Sequence, residues 1–249
     1  MKNTIRNISV PISAFIIILG FWSLITYFFK IPRWVLPNPI AIFQTMFVHF
    51  DEFSFHIWVS FRSIIVGFLI AIPLGIIIAG LMSNFKILDK TFSPYIIFLV
   101  TTPIVTLVPL LMVWFGFGWE IRVIAISIQV MAIINLNASA SFNNVPLLRL
   151  ELMKSLRANR IQTFFRAVLP SALPEVFTGL KLGAIFAVIT DISAEFVGGD
   201  SGLGNQIIKY SQYIKTEYAF SCIFFTGIIG IMLYLFVSLV EKLVIRWKI

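Results

Sequence analysis

Asp191 and Glu195 are the residues of this chain whose placement most invites a chemical reading. They interrupt an apolar run, residues 178–198, that has Lys181 near its other end. Four residues apart, they share one face of a helix. Ionisable groups in a segment long enough to cross a bilayer turn toward a bundle interior or a watery path, because lipid does not solvate them. Three roles fit them: packing or capping at the segment's end, a place on a solute pathway or gate, and an ion relay. A relay needs further acidic groups in series, and the sequence shows none. The segment that follows, GGDSGLG, contains Gly198, Gly199, Gly202 and Gly204 and reads as a tight turn. It has the composition of a phosphate cradle but no following Lys-Ser/Thr, and no G-x-x-x-x-G-K-[ST] occurs anywhere. His49, His56 and Cys222 are too few for a zinc-type cluster or an intrachain disulfide. No Ser/His constellation stands out either, so the chain is expected to bind no nucleotide, cofactor or metal of its own and not to be an enzyme.

The elements that must position these residues are set by composition. Of 249 residues, 59% are hydrophobic and 12% charged, against about 25% charged in an average soluble domain. That excludes an ordinary water-soluble enzyme and implies an all-α, polytopic membrane protein with a single domain over residues 1–249. A net charge of +8 would suit nucleic acid as a partner, but in a membrane protein excess Lys and Arg marks the cytoplasmic side, and nucleic acid is not expected.

About 20 apolar residues cross the hydrocarbon. The expected spans are residues 8–29, 62–84, 92–114, 122–142, 178–198 and 218–241. The first of these follows Lys2 and Arg6 but lacks a cleavage pattern, so it reads as a retained helix. With six crossings and both termini in the cytoplasm, thirteen Lys and Arg fall inside and six outside. The uncharged stretch 34–50 is a decoy. Pro37 and Pro39 allow a helix only after Pro39, with Phe43, Met46, Phe47 and Phe50 on one face. That face suits either the membrane interface or packing on the bundle.

The largest inside loop, residues 143–177, holds five basic residues. Leu148, Leu152 and Leu156 recur at helical spacing, with Met153 beside them and Arg149, Lys154, Arg157 and Arg160 on other faces. A short amphipathic helix is implied, serving either as a surface helix that obeys the charge rule or as a docking element for a partner's groove. Pro170 and Pro174 in LPSALP should then turn the chain back toward the membrane. Asn135 and Asn137, late in the fourth span, suit capping or interhelical hydrogen bonds.

At this loop the chain resembles the permease subunits of binding-protein-dependent ABC importers, whose pattern is E-A-A, three residues, G, nine residues, I, one residue, L-P. Glu151, Leu152 and Met153 stand at E-A-A, Arg157 at the glycine, Ala167 at the isoleucine, and Leu169 and Pro170 at L-P. The replacement of the glycine by Arg157 is the main departure and bears on the bend there. The resemblance extends over the whole chain toward the branch that includes nitrate, sulfonate, taurine and thiamine-precursor permeases. It runs through VLPNP, TPIVTLVPLLMVWFGFG, Asn137, SLRANRIQTFFRAVLPSALPEVFTGLKLG, AEFVGGDSGLG and the closing Arg246-Trp247.

The resemblance implies a channel in the inner membrane of a bacterium or archaeon, with a coupling helix between spans 4 and 5. That helix, through Glu151, Leu152, Met153, Leu156, Arg157, Leu169 and Pro170, would seat in an ATPase subunit that uses the ATP. A periplasmic or lipid-anchored binding protein would deliver solute, and a second, identical copy would complete the channel. A different class remains open: an ion-coupled secondary transporter using Asp191 and Glu195. Such carriers commonly show paired repeats, and none is visible here.

Overall fold

The computed structural model describes the backbone of residues 2–245 and, outside residues 2–9 and 11, their side chains. The expected Arg246-Trp247 match lies outside these residues. Every regular element among them is helical. Helix α1 is Lys2–Phe28 and α2 is Pro39–Val48. Asn38 caps α2, its side chain accepting from the Ile40 N–H at 2.9 Å, and Pro39 opens the helix where no N–H is needed. Its aromatic face packs on the bundle: Phe43 lies 5.3 Å from Phe224, centroid to centroid, and Phe50 lies 6.1 Å from Phe225. Of that face only Phe47 stays largely bare, at 82% exposure.

Helix α3, Phe50–Asn84, begins a dozen residues before the expected second span, because nothing from Phe50 to Arg62 breaks a helix. The third expected span, 92–114, is two helices, α4 (Lys86–Thr101) and α5 (Ile104–Phe115), meeting at 102°. Pro103 explains the break. It drives Thr102 into an extended conformation, ψ 122°, and supplies no N–H to continue the ladder. Helix α6 is Trp119–Asn143. Short helices α7 (Leu147–Ser155) and α8 (Arg160–Thr163) lead through a π-helical turn, Phe164–Val168, into α9, Leu169–Gly198. Helices α10 (Leu203–Gln212) and α11 (Thr216–Val244) complete the chain. Among the described residues four helical stretches are long and apolar enough to span a membrane, α3, α6, the run Arg160–Gly198 and α11, and the bent α4–α5 pair makes a fifth if it is one span.

LPSALP does not turn the chain. Pro170 follows just after the π-helical turn, whose wider pairing makes room for its ring, and Pro174 is carried inside α9. Helix continues from Arg160 to Gly198.

Helix α6 is the most buried element and lies between α3 and α9. Small residues every fourth position make this possible. Gly67, Ala71, Gly75 and Ala79 form a stripe on α3, and Gly179, Gly183 and Ala187 form one on α9; all seven are buried. A Cβ at Gly67 would lie 2.6 Å from Ile126 Cβ, and one at Gly75 would lie 2.9 Å from Ile134 Cβ. Without a hydrophobic drive between helices in lipid, such close backbone approach is a main source of association. Asn135 joins the same seam, its amide reaching the Gly75 carbonyl at 3.4 Å, whereas Asn137 turns back to Ile133 of its own helix.

Candidate functional site

Two groups of residues stand at opposite ends of α9. The first is built on α7 and α8. Helix α7 stops in a full Schellman arrangement: the Ala158 N–H donates to the Met153 carbonyl at 3.0 Å and the Arg157 N–H to the Lys154 carbonyl at 2.9 Å. Arg157 takes the left-handed position that closes it, with φ +53°. That is the residue aligned with the motif glycine, so the bend survives although the side chain does not match. Asn159 then caps α8 through a reciprocal box with Gln162, at 2.8 and 3.0 Å. The turn between α7 and α8 is therefore specified at both of its sides by local chemistry.

Of the coupling residues expected from sequence, Met153 alone is buried; it faces the bundle, and α7 leans on the π-helical turn. Leu148, Leu152 and Leu156 form a bare stripe, exposed by 78%, 59% and 67%, and Glu151 and Arg157 are exposed beside them. Leu169 and Pro170 are half-buried at the start of α9 and do not join that stripe. Arg149 donates to Ser171 Oγ at 2.5 Å, tying the base of α7 to α9. Behind this tie a cavity of about 600 Å³ opens between α6 and α9, lined by Asn137, Arg149, Glu175 and Thr178 among others.

The second group surrounds Glu195. This carboxylate, at the end of the expected fifth span, is fully buried. It accepts from Arg122 Nη1 at 2.7 Å, from Ser60 Oγ at 2.8 Å and from the Gly204 N–H at 2.6 Å. Gly204 lies in the first turn of α10, so Glu195 of α9 caps the positive end of another helix. The loop wraps it further. The Leu203 N–H donates to Ser60 Oγ at 2.9 Å, the Gly202 N–H to His56 Nδ1 at 3.1 Å, and Arg122 to the Ser201 carbonyl at 3.2 Å. Gly202 has φ +112°, and a Cβ there would collide with the Glu195 carboxyl. GGDSGLG is thus a cradle for a carboxylate supplied by the protein itself.

Arg122 was missed as a partner. Its signal was available: a cation one turn into the apolar run that becomes α6, with 7% exposure in the fold. Asp191, one turn below Glu195, is also fully buried, yet no donor reaches either of its oxygens. The groups that face it are Glu195 and Arg122. Beside the node, Tyr210 of α10 meets Phe53 edge-on at 6.2 Å and Tyr218 at a tilt at 5.1 Å. Burial there, ahead of the nearby acidic groups, pushes its phenol up to about 12, so it stays neutral.

A family model described as "Binding-protein-dependent transport system inner membrane component" matches residues 71–248. The chain belongs to this family. It contains the permease subunits of ABC importers, and this permease is a multi-pass protein of the cytoplasmic membrane. It is similar to a putative aliphatic sulfonates transport permease of Bacillus subtilis, 26% identical over 93% of this chain and 85% of that one. It is also similar to the taurine transport system permease of Escherichia coli, 24% identical over 97% and 90%. Among solved structures, an inward-facing methionine ABC transporter superposes with a TM-score of 0.63 at 18% identity, covering 81% of the permease and 98% of that chain. An amino acid ABC transporter gives 0.63 at 20% identity, covering 82% and 97%. These structures establish the shared fold, and the family match lends no support to the ion-coupled carrier.

Proposed function

We propose that this permease forms one half of the importer's channel, pairing with a second, identical copy, and that α7 and α8 are its coupling element. Six crossings follow from counting α1, α3, the bent α4–α5 pair, α6, α9 and α11, with both termini in the cytoplasm. The observation that carries the coupling role is the bare Leu148–Leu152–Leu156 stripe on a helix whose C-terminal end, and the turn that follows it, are locally fixed. Exposed leucines at helical spacing, outside the expected spans, fit a hydrophobic groove. The partner is an ATPase subunit that binds and hydrolyses the ATP, and this chain holds no nucleotide.

The opposite end of the permease, around residues 198–201, receives solute from a separate binding protein. Its cavity of about 380 Å³ is lined by Trp58, Arg62, Trp119 and Arg122 among others, with Arg62 lying 4.1 Å over the Trp119 ring. Small polar solutes of the kind named for the relatives suit that wall. Asp191 is read as a gate position, since it alone among the buried acids has no structural donor.

Copurification tests the coupling assignment. Leu148→Asp with Leu152→Asp, both on exposed positions, should release the ATPase subunit while leaving the permease folded. A complex that survives both substitutions would overturn the docking role.

A further inference from the structure

We propose that the permease carries a binding site for an anionic phospholipid, built where the end of α3 meets α8 and the π-helical turn. Two cavities adjoin there and share Asn84, Phe85 and Arg160. One, of about 670 Å³, is walled almost wholly by apolar groups, including Ile77, Leu81, Phe164 and Phe165. The other opens beside it, past the end of α3, between Lys86 and Arg160. An apolar well with a cationic rim matches an acyl chain and its phosphate.

Three observations select this occupant. First, the charge is unanswered: among the described residues no carboxylate pairs with Lys86 or Arg160, and no acidic side chain lines either cavity. Asp89, the nearest acid in sequence, accepts instead from Ser93 Oγ at 3.1 Å. Second, the level is right. The well lies along the last two turns of a helix apolar enough to span the membrane, and the cations stand just beyond its end, where hydrocarbon gives way to headgroups. This placement needs only that the chain is a membrane protein and holds in either leaflet. Third, the wall is a built one. The π-helical turn sets Phe164 against Phe142 at 5.2 Å, a Cβ on Gly80 of α3 would come within 3.2 Å of Phe164, and Phe165 is left 62% exposed beside it. π-Helical turns recur at functional sites.

A soluble anion would use the rim but not the well, and a zwitterionic lipid would fill the well but bring, with its phosphate, a cation that leaves the rim without a net answering charge. The site therefore distinguishes phosphatidylglycerol from both.

Native mass spectrometry of the full-length permease, without its ATPase, reads this directly. Detergent-solubilised protein is titrated with phosphatidylglycerol, phosphatidylcholine of the same acyl chains, or glycerol 3-phosphate. Near a membrane surface each cation contributes about fivefold to anionic-lipid affinity, so Lys86→Gln with Arg160→Gln should weaken phosphatidylglycerol retention by about 30-fold. Phosphatidylcholine retention should fall far less, because its own cation already offsets its phosphate. Gly80→Leu, which fills the well from α3, should weaken both lipids. Thiol labelling of Cys222, fully buried in the fold, checks that each variant is folded. Equal retention of the two lipids by the unaltered protein, an unchanged double variant, or equal competition by glycerol 3-phosphate would each overturn the proposal. Because the ATPase is absent, none of these outcomes bears on the coupling role.

Discussion

Removing the Glu195 carboxyl is the sharpest perturbation the fold offers. In Glu195→Ala, Arg122 loses its 2.7 Å partner while keeping 7% exposure, and the Gly204 N–H and Ser60 hydroxyl lose their acceptor. Breaking a buried ion pair from one side costs about 3–5 kcal/mol, and a stranded buried N–H adds roughly 1–3 kcal/mol. For a domain of this size each kcal/mol is worth about 2–4 °C, so a fall of about 8–30 °C is expected. The molecule carries its own reporter. Cys222 is the single cysteine and is fully buried, so a fluorogenic maleimide reads unfolding without an added label.

The double variant Arg122→Met, Glu195→Ala separates the pair from the cavity. Removing both charges takes away the uncompensated cation, so the double variant should regain at least about 2 kcal/mol over the sum of the single effects. Glu195→Gln should fall between, since its amide oxygen still accepts but no longer balances Arg122. Additive single effects, or a drop below about 3 °C for Glu195→Ala, would refute the account of Glu195 as the node that holds α9, α6, α3 and α10 together.

Asp191→Asn should leave the melting temperature within about 2 °C, because the carboxyl has no donor to lose; solute uptake by the assembled importer then checks the gate role, which unchanged uptake would refute. Arg157→Gly should stabilise the permease by about 1 kcal/mol by relieving a left-handed φ of +53°, whereas Arg157→Ala should not; equal melting temperatures would point to the charge instead of the backbone. Gly75→Val should cost about 3 kcal/mol or block assembly, since its Cβ would sit 2.9 Å from both Ile134 Cβ and the Met131 carbonyl oxygen. Gly227→Ala, with open space around it, is the control and should be neutral or slightly stabilising.

What the sequence discloses depends on the range of each interaction. The amphipathic helix at residues 147–155 was legible because the Leu148–Leu152–Leu156 spacing is local. Its C-terminal bend was obscured because Arg157, not glycine, holds the left-handed position, and only the two backbone hydrogen bonds reveal it. The Glu195 node was half legible. The carboxylate and its glycines lie within ten residues of one another, but Ser60 and Arg122 are 135 and 73 residues away. Proline was over-read at Pro170, which the π-helical turn before it accommodates, and under-read at Pro103, which breaks the third expected span. The fourfold small-residue stripe on α3 was present in plain view at positions 67, 71, 75 and 79, yet its meaning depends on α6 lying across it.

The two ends of α9 are joined by the helix itself. Thirty residues at 1.5 Å rise place Leu169 and Gly198 about 45 Å apart, enough to carry the coupling face and the Glu195 node on opposite sides of a bilayer. Because the glycine and alanine stripe seats α9 closely on α6, a displacement at its base is better carried as a slide or tilt of the pair than as bending within either helix. The π-helical turn at Phe164–Val168 stands between the proposed coupling element and α9. At the far end, Glu195 grips Arg122 of α6 and Gly204 of α10 at once, so movement of α9 against α6 must break the ion pair or carry the 198–204 loop along. On this geometry the loop moves with α9. Asp191, one turn below with no donor of its own, is the second carboxylate that Arg122 meets if α9 shifts by that turn. Arg122→Lys tests the consequence: it preserves the charge but not the fork that holds Glu195 and the Ser201 carbonyl together. It should therefore uncouple ATP hydrolysis from uptake more than it lowers the melting temperature.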